Sequence, residues 1–173
     1  MISPCEKKDA LRCAELLIQA FPHSYSYDEA KNEVLDIIGD NICLKVVLDN
    51  QLIGFIGALK QYGGFTYELH PLVVDQDYRN QGVGRALVEA LEEKLIKIGA
   101  LNLYLGTDDE TFSTSLSEGD LFKEPFKKIA SIKNYKNHPF SFYQRLGFKI
   151  VGVIPDANGK NKPDIFMAKR LGD

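Results

Sequence analysis

Tyr67-Glu-Leu-His-Pro-Leu-Val-Val-Asp-Gln-Asp-Tyr-Arg-Asn-Gln-Gly-Val-Gly-Arg85 is the stretch that decides the fold. An apolar strand runs into a turn bearing Gly82 and Gly84, and the turn opens an amphipathic helix. Glycines leave no Cβ in the way, so the turn presents consecutive backbone N–H groups at close range, and the helix adds the positive end of its macrodipole. The stretch reads as an anion-binding device for a phosphate group, built from Arg79, Asn80, Gln81, Gly82, Val83, Gly84 and Arg85. The alternative is an ordinary strand-to-helix corner. Arg79-x-x-Gly82-x-Gly84 lacks the Lys-Ser/Thr ending of a P-loop and the glycine spacing of the dinucleotide fingerprint.

Upstream, Ala10, Cys13, Ala14, Leu17, Ile18 and Phe21 recur at helical spacing, and Pro22 stops that helix. Ser26-Tyr-Asp-Glu29 is a capping box opening a second helix through Ala30, Val34, Ile37 and Ile38, which is expected to stop at Gly39. Tyr25 and Tyr27, in the loop between them, read either as partly buried supports or as faces for a sugar ring. Strands over Cys43–Leu48 and Gln51–Leu59 flank the hairpin signal Asp49-Asn50, and Gly63-Gly64 leads into the Tyr67 strand. Downstream, the helix carrying Val83, Leu87, Leu91 and Leu95 ends at Gly99. A strand over Ala100–Gly106 follows, expected parallel to the Tyr67 strand because a helical crossover reaches it.

The long segment from Asp108 to Asn134 is expected to carry structure or function of its own, with Pro125 as a first helical residue. A short helix over Pro139–Leu146 and strands over Phe148–Ile154 and Ile165–Ala168 complete the chain. The expected order is helix, helix, three strands, helix, strand, helix, two strands: an α/β domain around a mixed sheet.

At 173 residues and 45% hydrophobic content, the chain suits one domain spanning residues 1–173. No apolar run is long enough for a bilayer and no signal-peptide core follows the first charges, so no membrane partner and a cytoplasmic location are expected. The formal net charge of −3 argues against nucleic acid as a partner and suits a cationic substrate. Cys5, Cys13 and Cys43 lack metal-ligand spacing and the three histidines are scattered, so reduced thiols and no metal are expected.

Pro71 cannot donate to a sheet ladder and marks a bulge or splay. Beyond it, backbone groups of Leu72, Val73 and Val74 would be open to pair with a ligand that carries amides.

The glycine turn resembles the pyrophosphate loop of the GNAT superfamily of acyl-CoA-dependent N-acetyltransferases. His138-Pro-Phe-Ser-Phe-Tyr-Gln-Arg-Leu-Gly-Phe148 resembles a second motif of that superfamily, whose tyrosine, Tyr143 here, lies by the cofactor sulfur and can protonate the departing thiolate. Where the superfamily often has an asparagine seven residues before this tyrosine and a small residue four before it, this chain has Lys136 and Pro139, with Asn137 displaced by one. Read alone, Tyr143 is a core residue with its hydroxyl at the rim, and only its pairing with the glycine turn favours the catalytic role.

Glu68-Leu-His-Pro-Leu-Val-Val74, Leu105-Gly-Thr-Asp-Asp109, Lys136-Asn-His-Pro-Phe140 and Pro155-Asp-Ala-Asn-Gly-Lys-Asn-Lys-Pro-Asp-Ile165 together resemble the aminoglycoside 6′-N-acetyltransferases. That resemblance implies a mixed, mostly antiparallel twisted sheet flanked by helices, with a splay between its fourth and fifth strands. It also implies acetyl transfer from acetyl-CoA to the 6′-amine of an aminoglycoside antibiotic, with a homodimer as the usual assembly. Leu72, Val73, Val74, Thr107, Phe142 and Tyr143 join the glycine turn as implied cofactor contacts. Tyr25, Tyr62, Glu68, Asp108, Asp109 and Asp164 are the implied substrate contacts, although each aspartate is equally a turn residue or cap.

Strand alternation puts Glu68 and His70 on one face with Leu72. Glu68 is the first candidate for orienting the amine and taking its proton, with His70 the second, and the N–H of Leu72 or Val73 would stabilise the oxyanion. Two other functions compete: a GNAT enzyme acting on a protein or polyamine amine, and an acyl-CoA-binding sensor without catalysis.

Overall fold

Seven strands form one sheet in the order β1-β2-β3-β4-β5-β7-β6 in the computed structural model, which describes residues 1–172. They are β1 (Ile2–Pro4), β2 (Ile42–Leu48), β3 (Gln51–Gln61), β4 (Thr66–Val74), β5 (Asn102–Asp108), β6 (Lys149–Ile154) and β7 (Asp164–Arg170). The helices are α1 (Ala10–Ala20), α2 (Tyr27–Asp40), α3 (Val83–Lys97), α4 (Pro125–Ala130) and α5 (Phe140–Arg145). The sheet is mixed and mostly antiparallel, with β5 parallel to β4 as the crossover requires. Contacts divide the chain into two compact units, one of residues 1–103 together with the last residues from Leu171, the other of residues 104–170.

In the first unit β1 to β4 pair antiparallel in sequence order. Asp49 and Asn50 both take positive φ (49° and 62°), which gives the hairpin between β2 and β3 the twist its strands need. Ser26 accepts from the Glu29 N–H while Glu29 returns to the Ser26 N–H, so the capping box starts α2 as expected. The helix continues through Gly39 to Asp40, because Gly39 keeps helical geometry and Asn41 closes the last turn on Ile37. Cys13, Leu16 and Leu17 of α1, Val34 of α2 and Phe55 of β3 are fully buried in one apolar cluster. On α3, Leu87, Val88, Leu91 and Leu95 are buried, and Leu87 lies over β3 at Gly54, where a Cβ would sit 3.5 Å from its methyl.

The Pro71 expectation resolves into a bulge. Ile56 faces Leu72 and Ala58 faces Leu69, so Gly57 alone opposes His70 and Pro71. Only glycine fits there, since a Cβ on residue 57 would lie 2.2 Å from the His70 carbonyl oxygen. Burial still alternates along β4, leaving Glu68, His70 and Leu72 on its half-exposed face.

Several boundaries differ from the sequence reading. A first strand, Ile2–Pro4, pairs with β2. The fifth strand begins at Asn102, two residues later than expected, because Gly99 (φ 81°) and the Ala100 N–H, bonded to the Leu95 carbonyl, still belong to the end of α3.

In the second unit β6 and β7 pair antiparallel over a core that includes Leu105, Leu116, Phe140, Phe148, Ile165 and Met167. Pro125 occupies the first turn of α4 as expected.

Candidate active site

The first unit carries the anion turn. Gly82 sits at the N-cap of α3 with φ 86°, a left-handed conformation that favours glycine, and its missing Cβ would meet nothing within 4 Å. No side chain caps this 15-residue helix. The first bond of the helix runs from the Ala86 N–H to the Gly82 carbonyl, so the N–H groups of Val83, Gly84 and Arg85 have no partner within it. Side chains around the turn brace it: Arg79 Nε donates to the Val74 carbonyl at 3.1 Å and Gln81 Nε2 to the Asp77 carbonyl at 2.9 Å. Asp75, buried at the end of β4, accepts from the Arg12 guanidinium of α1 at 2.7 Å and so ties the turn to the core. Open space, exposed N–H groups and a rigid base suit a pyrophosphate.

Beside β4 lies a cavity of about 520 Å³ whose walls include Glu29, Asn32, Glu33 and Asp36 of α2 with His70 of β4. Its acids were missed in the sequence reading. They stand at i, i+4 and i+7 on α2, one helix face, adjacent to the face of the buried Ala30, Val34 and Ile37. Glu33 is the hub: its Oε1 lies 2.7 Å from His70 Nε2 and 3.1 Å from the Tyr25 hydroxyl. Burial pushes the Glu33 carboxyl up, but the contacts with His70 and Tyr25 outweigh it and hold the group below the usual range. An ionised Glu33 can only accept, so His70 Nε2 carries a proton and a neutral ring keeps Nδ1 as its basic nitrogen. Tyr25 is itself pushed up to about 12 by burial and by Glu33. With its ring edge-on to Phe21 at 6.4 Å, Tyr25 braces the loop ahead of α2 and is not among the cavity's lining residues.

Glu68 lies one strand alternation from His70, and its Oε2 is 3.4 Å from Gln61 Nε2. Tyr62 is 79% exposed in the turn after β3.

In the second unit, Tyr143 projects from α5 with its ring edge-on to Phe142 at 5.0 Å and Phe148 at 5.6 Å. Burial raises its hydroxyl well above the ordinary phenol range, so the proton stays on at neutral pH. Asn134 organises the entry to this helix, accepting from the His138 N–H at 2.8 Å and donating to the His138 carbonyl and to Ser141 Oγ. His138 is buried, with Nε2 3.0 Å from the Asp108 carbonyl and Nδ1 accepting from the Phe140 N–H; burial lowers its pKa, in keeping with a neutral ring. Neither residue was singled out in the sequence, where Asn137 drew attention instead.

The aspartates separate sharply. Asp109 is fully buried, and its carboxylate accepts from the Ser113 and Thr114 N–H groups and from the Thr114 and Ser117 hydroxyls at 2.7–2.8 Å. It organises the loop after β5, and full burial with one donor on Oδ1 and three on Oδ2 speaks against the substrate contact expected of it. Asp108 is exposed and accepts from Asn158 of the turn between β6 and β7. The Asp164 carboxylate lies against Gly106, where a Cβ would come within 2.8 Å of it. Thr107 is buried on β5 and Phe142 is half-buried on α5.

Among the described residues no cluster of three or more His, Cys, Asp or Glu is arranged to hold a metal, and no helix is long and apolar enough to cross a membrane.

The acetyltransferase (GNAT) family profile matches residues 10–115, more than half of the chain. The chain belongs to the GNAT family. Over its whole length this GNAT chain is similar to the solved structure of an aminoglycoside 6′-N-acetyltransferase complexed with coenzyme A, at 42% identity and a TM-score of 0.94 over 98% of that chain. It is equally similar to the aminoglycoside 6′-N-acetyltransferase from Enterococcus faecium, at 42% identity and a TM-score of 0.93, with the same coverage. An aminoglycoside 6′-acetyltransferase type Ii follows at 36% identity and a TM-score of 0.76, again over all of this chain and 98% of that one. Among curated proteins, an uncharacterised Mycobacterium leprae protein is 25% identical over 164 residues. That match covers 94% of this GNAT chain but 38% of the mycobacterial protein.

Proposed function

We propose that the protein transfers the acetyl group of acetyl-CoA to the 6′-amine of aminoglycoside antibiotics and thereby confers resistance to them. The observation that carries this reading is the cavity beside β4, where Glu29, Glu33 and Asp36 face one side from α2. Aminoglycosides are polycations, and a concave wall of carboxylates attracts them over a Debye length and holds them at contact. Full-length similarity to three aminoglycoside acetyltransferases supports the same choice.

Acetyl-CoA supplies an activated acyl group as its thioester. The N–H groups at the start of α3, with Arg79, Asn80, Gln81, Gly82, Val83, Gly84 and Arg85 around them, would hold the pyrophosphate. Backbone groups of Leu72, Val73 and Val74 would pair with the pantetheine amides, and Thr107 and Phe142 would add further contacts. The N–H of Leu72 or Val73 would donate to the acyl oxygen as negative charge grows there. Glu68 orients the attacking amine and takes its proton directly or through water, while His70, fixed by Glu33, is the alternative acceptor through Nδ1. Tyr143 holds a proton for the leaving sulfur. Asp108, Asp164, Tyr62 and Tyr25 belong to the acceptor side of the proposal, as does a homodimeric assembly.

Acetyl-CoA consumption with matched aminoglycosides bearing a 6′-amine or a 6′-hydroxyl tests the reading. Turnover with the amine alone, and an acetyl group located on the 6′ nitrogen by NMR, is the expected result. Turnover on a peptide or polyamine with none on either aminoglycoside would move the protein to another GNAT activity, and binding without any transfer would make it a sensor.

A further inference from the structure

Outside the acetyl-transfer site, three thiols converge where the chain begins its sheet. β1 and β2 pair Ile2 with Val46, Ser3 with Lys45 and Pro4 with Leu44, and continuing that register sets Cys5 directly opposite Cys43. The Cys5 N–H donates to the Cys43 carbonyl at 2.9 Å, so the register does extend this far. Residues facing each other in a hydrogen-bonded antiparallel pair have Cα atoms about 5.5 Å apart and side chains on the same face. That separation lies inside the window a disulfide requires, roughly 4.4–6.8 Å.

The three thiols are not equivalent. Cys13 is fully buried and Cys43 is 7% exposed, both within the apolar cluster under α1, whereas Cys5 packs on the edge of that cluster and is partly open to solvent. Cys5 packs against the cluster that holds Cys13 and Cys43, and Lys45 adds positive charge nearby. Contact with Cys13 and Cys43 lowers the Cys5 thiol, and contact with Cys5, followed by burial, pushes Cys13 and Cys43 up. One sulfur is therefore partly open to solvent, and a second lies opposite it across the strand pair.

We propose that Cys5 is a hydroperoxide-sensitive modification site that closes a reversible disulfide with Cys43 across the first two strands. In the first step the peroxide O–O bond breaks. One oxygen, with its proton, bonds to Cys5 Sγ as sulfenic acid, and the other leaves as alkoxide or hydroxide and takes a proton from water. In the second step Cys43 Sγ bonds to Cys5 Sγ, and the displaced hydroxyl leaves as water with the Cys43 thiol proton. The peroxide gains two electrons and each sulfur loses one. Two equivalents of a small thiol reverse the bond by exchange. The loop that the bond closes contains α1 and α2, the helix that carries the acidic wall of the cavity. Cys13, buried on α1, is not a partner in the bond.

The test is peptide mapping of the full chain before and after hydrogen peroxide, without reduction. The expected product is a Cys5–Cys43 cross-linked peptide lighter by two hydrogens, with Cys13 still alkylatable and all three thiols recovered by dithiothreitol. In the untreated protein, iodoacetamide should label Cys5 at least about tenfold faster than Cys13 or Cys43. Cys43→Ser should leave a sulfenic acid at Cys5 that dimedone traps, and Cys13→Ser should keep the bridge. Three alkylatable thiols after peroxide in the unsubstituted protein, a bridge to Cys13, or dimedone on Cys13 or Cys43 in place of Cys5 would overturn the proposal without reference to acetyl transfer.

Discussion

Glu33 and Asp109 are both carboxylates held below their ordinary pKa, and they do opposite things. In the first unit Glu33 stands in the wall of a cavity, and the groups bonded to it are side chains from elsewhere, His70 of β4 and Tyr25 of the loop ahead of α2. In the second unit Asp109 is sealed, with two backbone N–H groups and two hydroxyls consuming its lone pairs within eight residues of chain. The difference lies in where the donors come from. A carboxylate satisfied by its own loop fixes the fold, whereas one satisfied by side chains across a cavity keeps a charged surface that a cationic ligand can meet.

The comparison breaks most visibly at Asp109. Asp109→Ala leaves four buried donors without their acceptor and should cost about 3 kcal/mol or more of stability, read by denaturant unfolding. Its pH dependence has a definite sign. The folded-state pKa is depressed below the ordinary carboxyl value of 3.8, so the stabilisation is fully present above about pH 4 and is lost as pH falls through the folded value. An Asp109→Ala protein of parental stability but weakened aminoglycoside binding would return this residue to the substrate site.

Tyr143→Phe keeps the ring contacts with Phe142 and Phe148 and removes the proton. Turnover should fall about 100-fold, the lower end for a general acid, with acetyl-CoA affinity changed less than about twofold. An unaltered rate would make this tyrosine a packing residue like its aromatic neighbours.

Glu68→Gln removes charge at constant volume from the same strand face as His70. Turnover at neutral pH should drop about tenfold to 100-fold and partly recover as rising pH deprotonates the substrate amine unaided. Parental kinetics across the pH range would exclude Glu68 from the site.

The same contrast explains what the sequence made legible. The glycine turn, the Ser26 capping box, the Asp49-Asn50 hairpin and the bulge at Pro71 are local devices whose residue types admit few conformations, and each is found where the pattern put it. β1 escaped because three residues ending in proline carry no period, and its strand character comes only from pairing with β2. Asp109 stayed open between a substrate contact and a turn residue because sequence does not show that Ser113, Thr114 and Ser117 fold back onto it. The converse error concerns α2. Its acids at 29, 33 and 36 look like the solvated side of an amphipathic helix until β4 supplies the opposite wall.

The central claim is that this open acidic face receives the polycation, and calorimetric binding of a 6′-amino aminoglycoside to the parent and to Glu33→Gln at several salt concentrations tests it most directly. The account predicts binding about tenfold weaker in the variant at low salt, a gap that narrows as salt rises, and a melting temperature within a few degrees of the parent. Equal affinity at every salt concentration in a folded Glu33→Gln protein would contradict it.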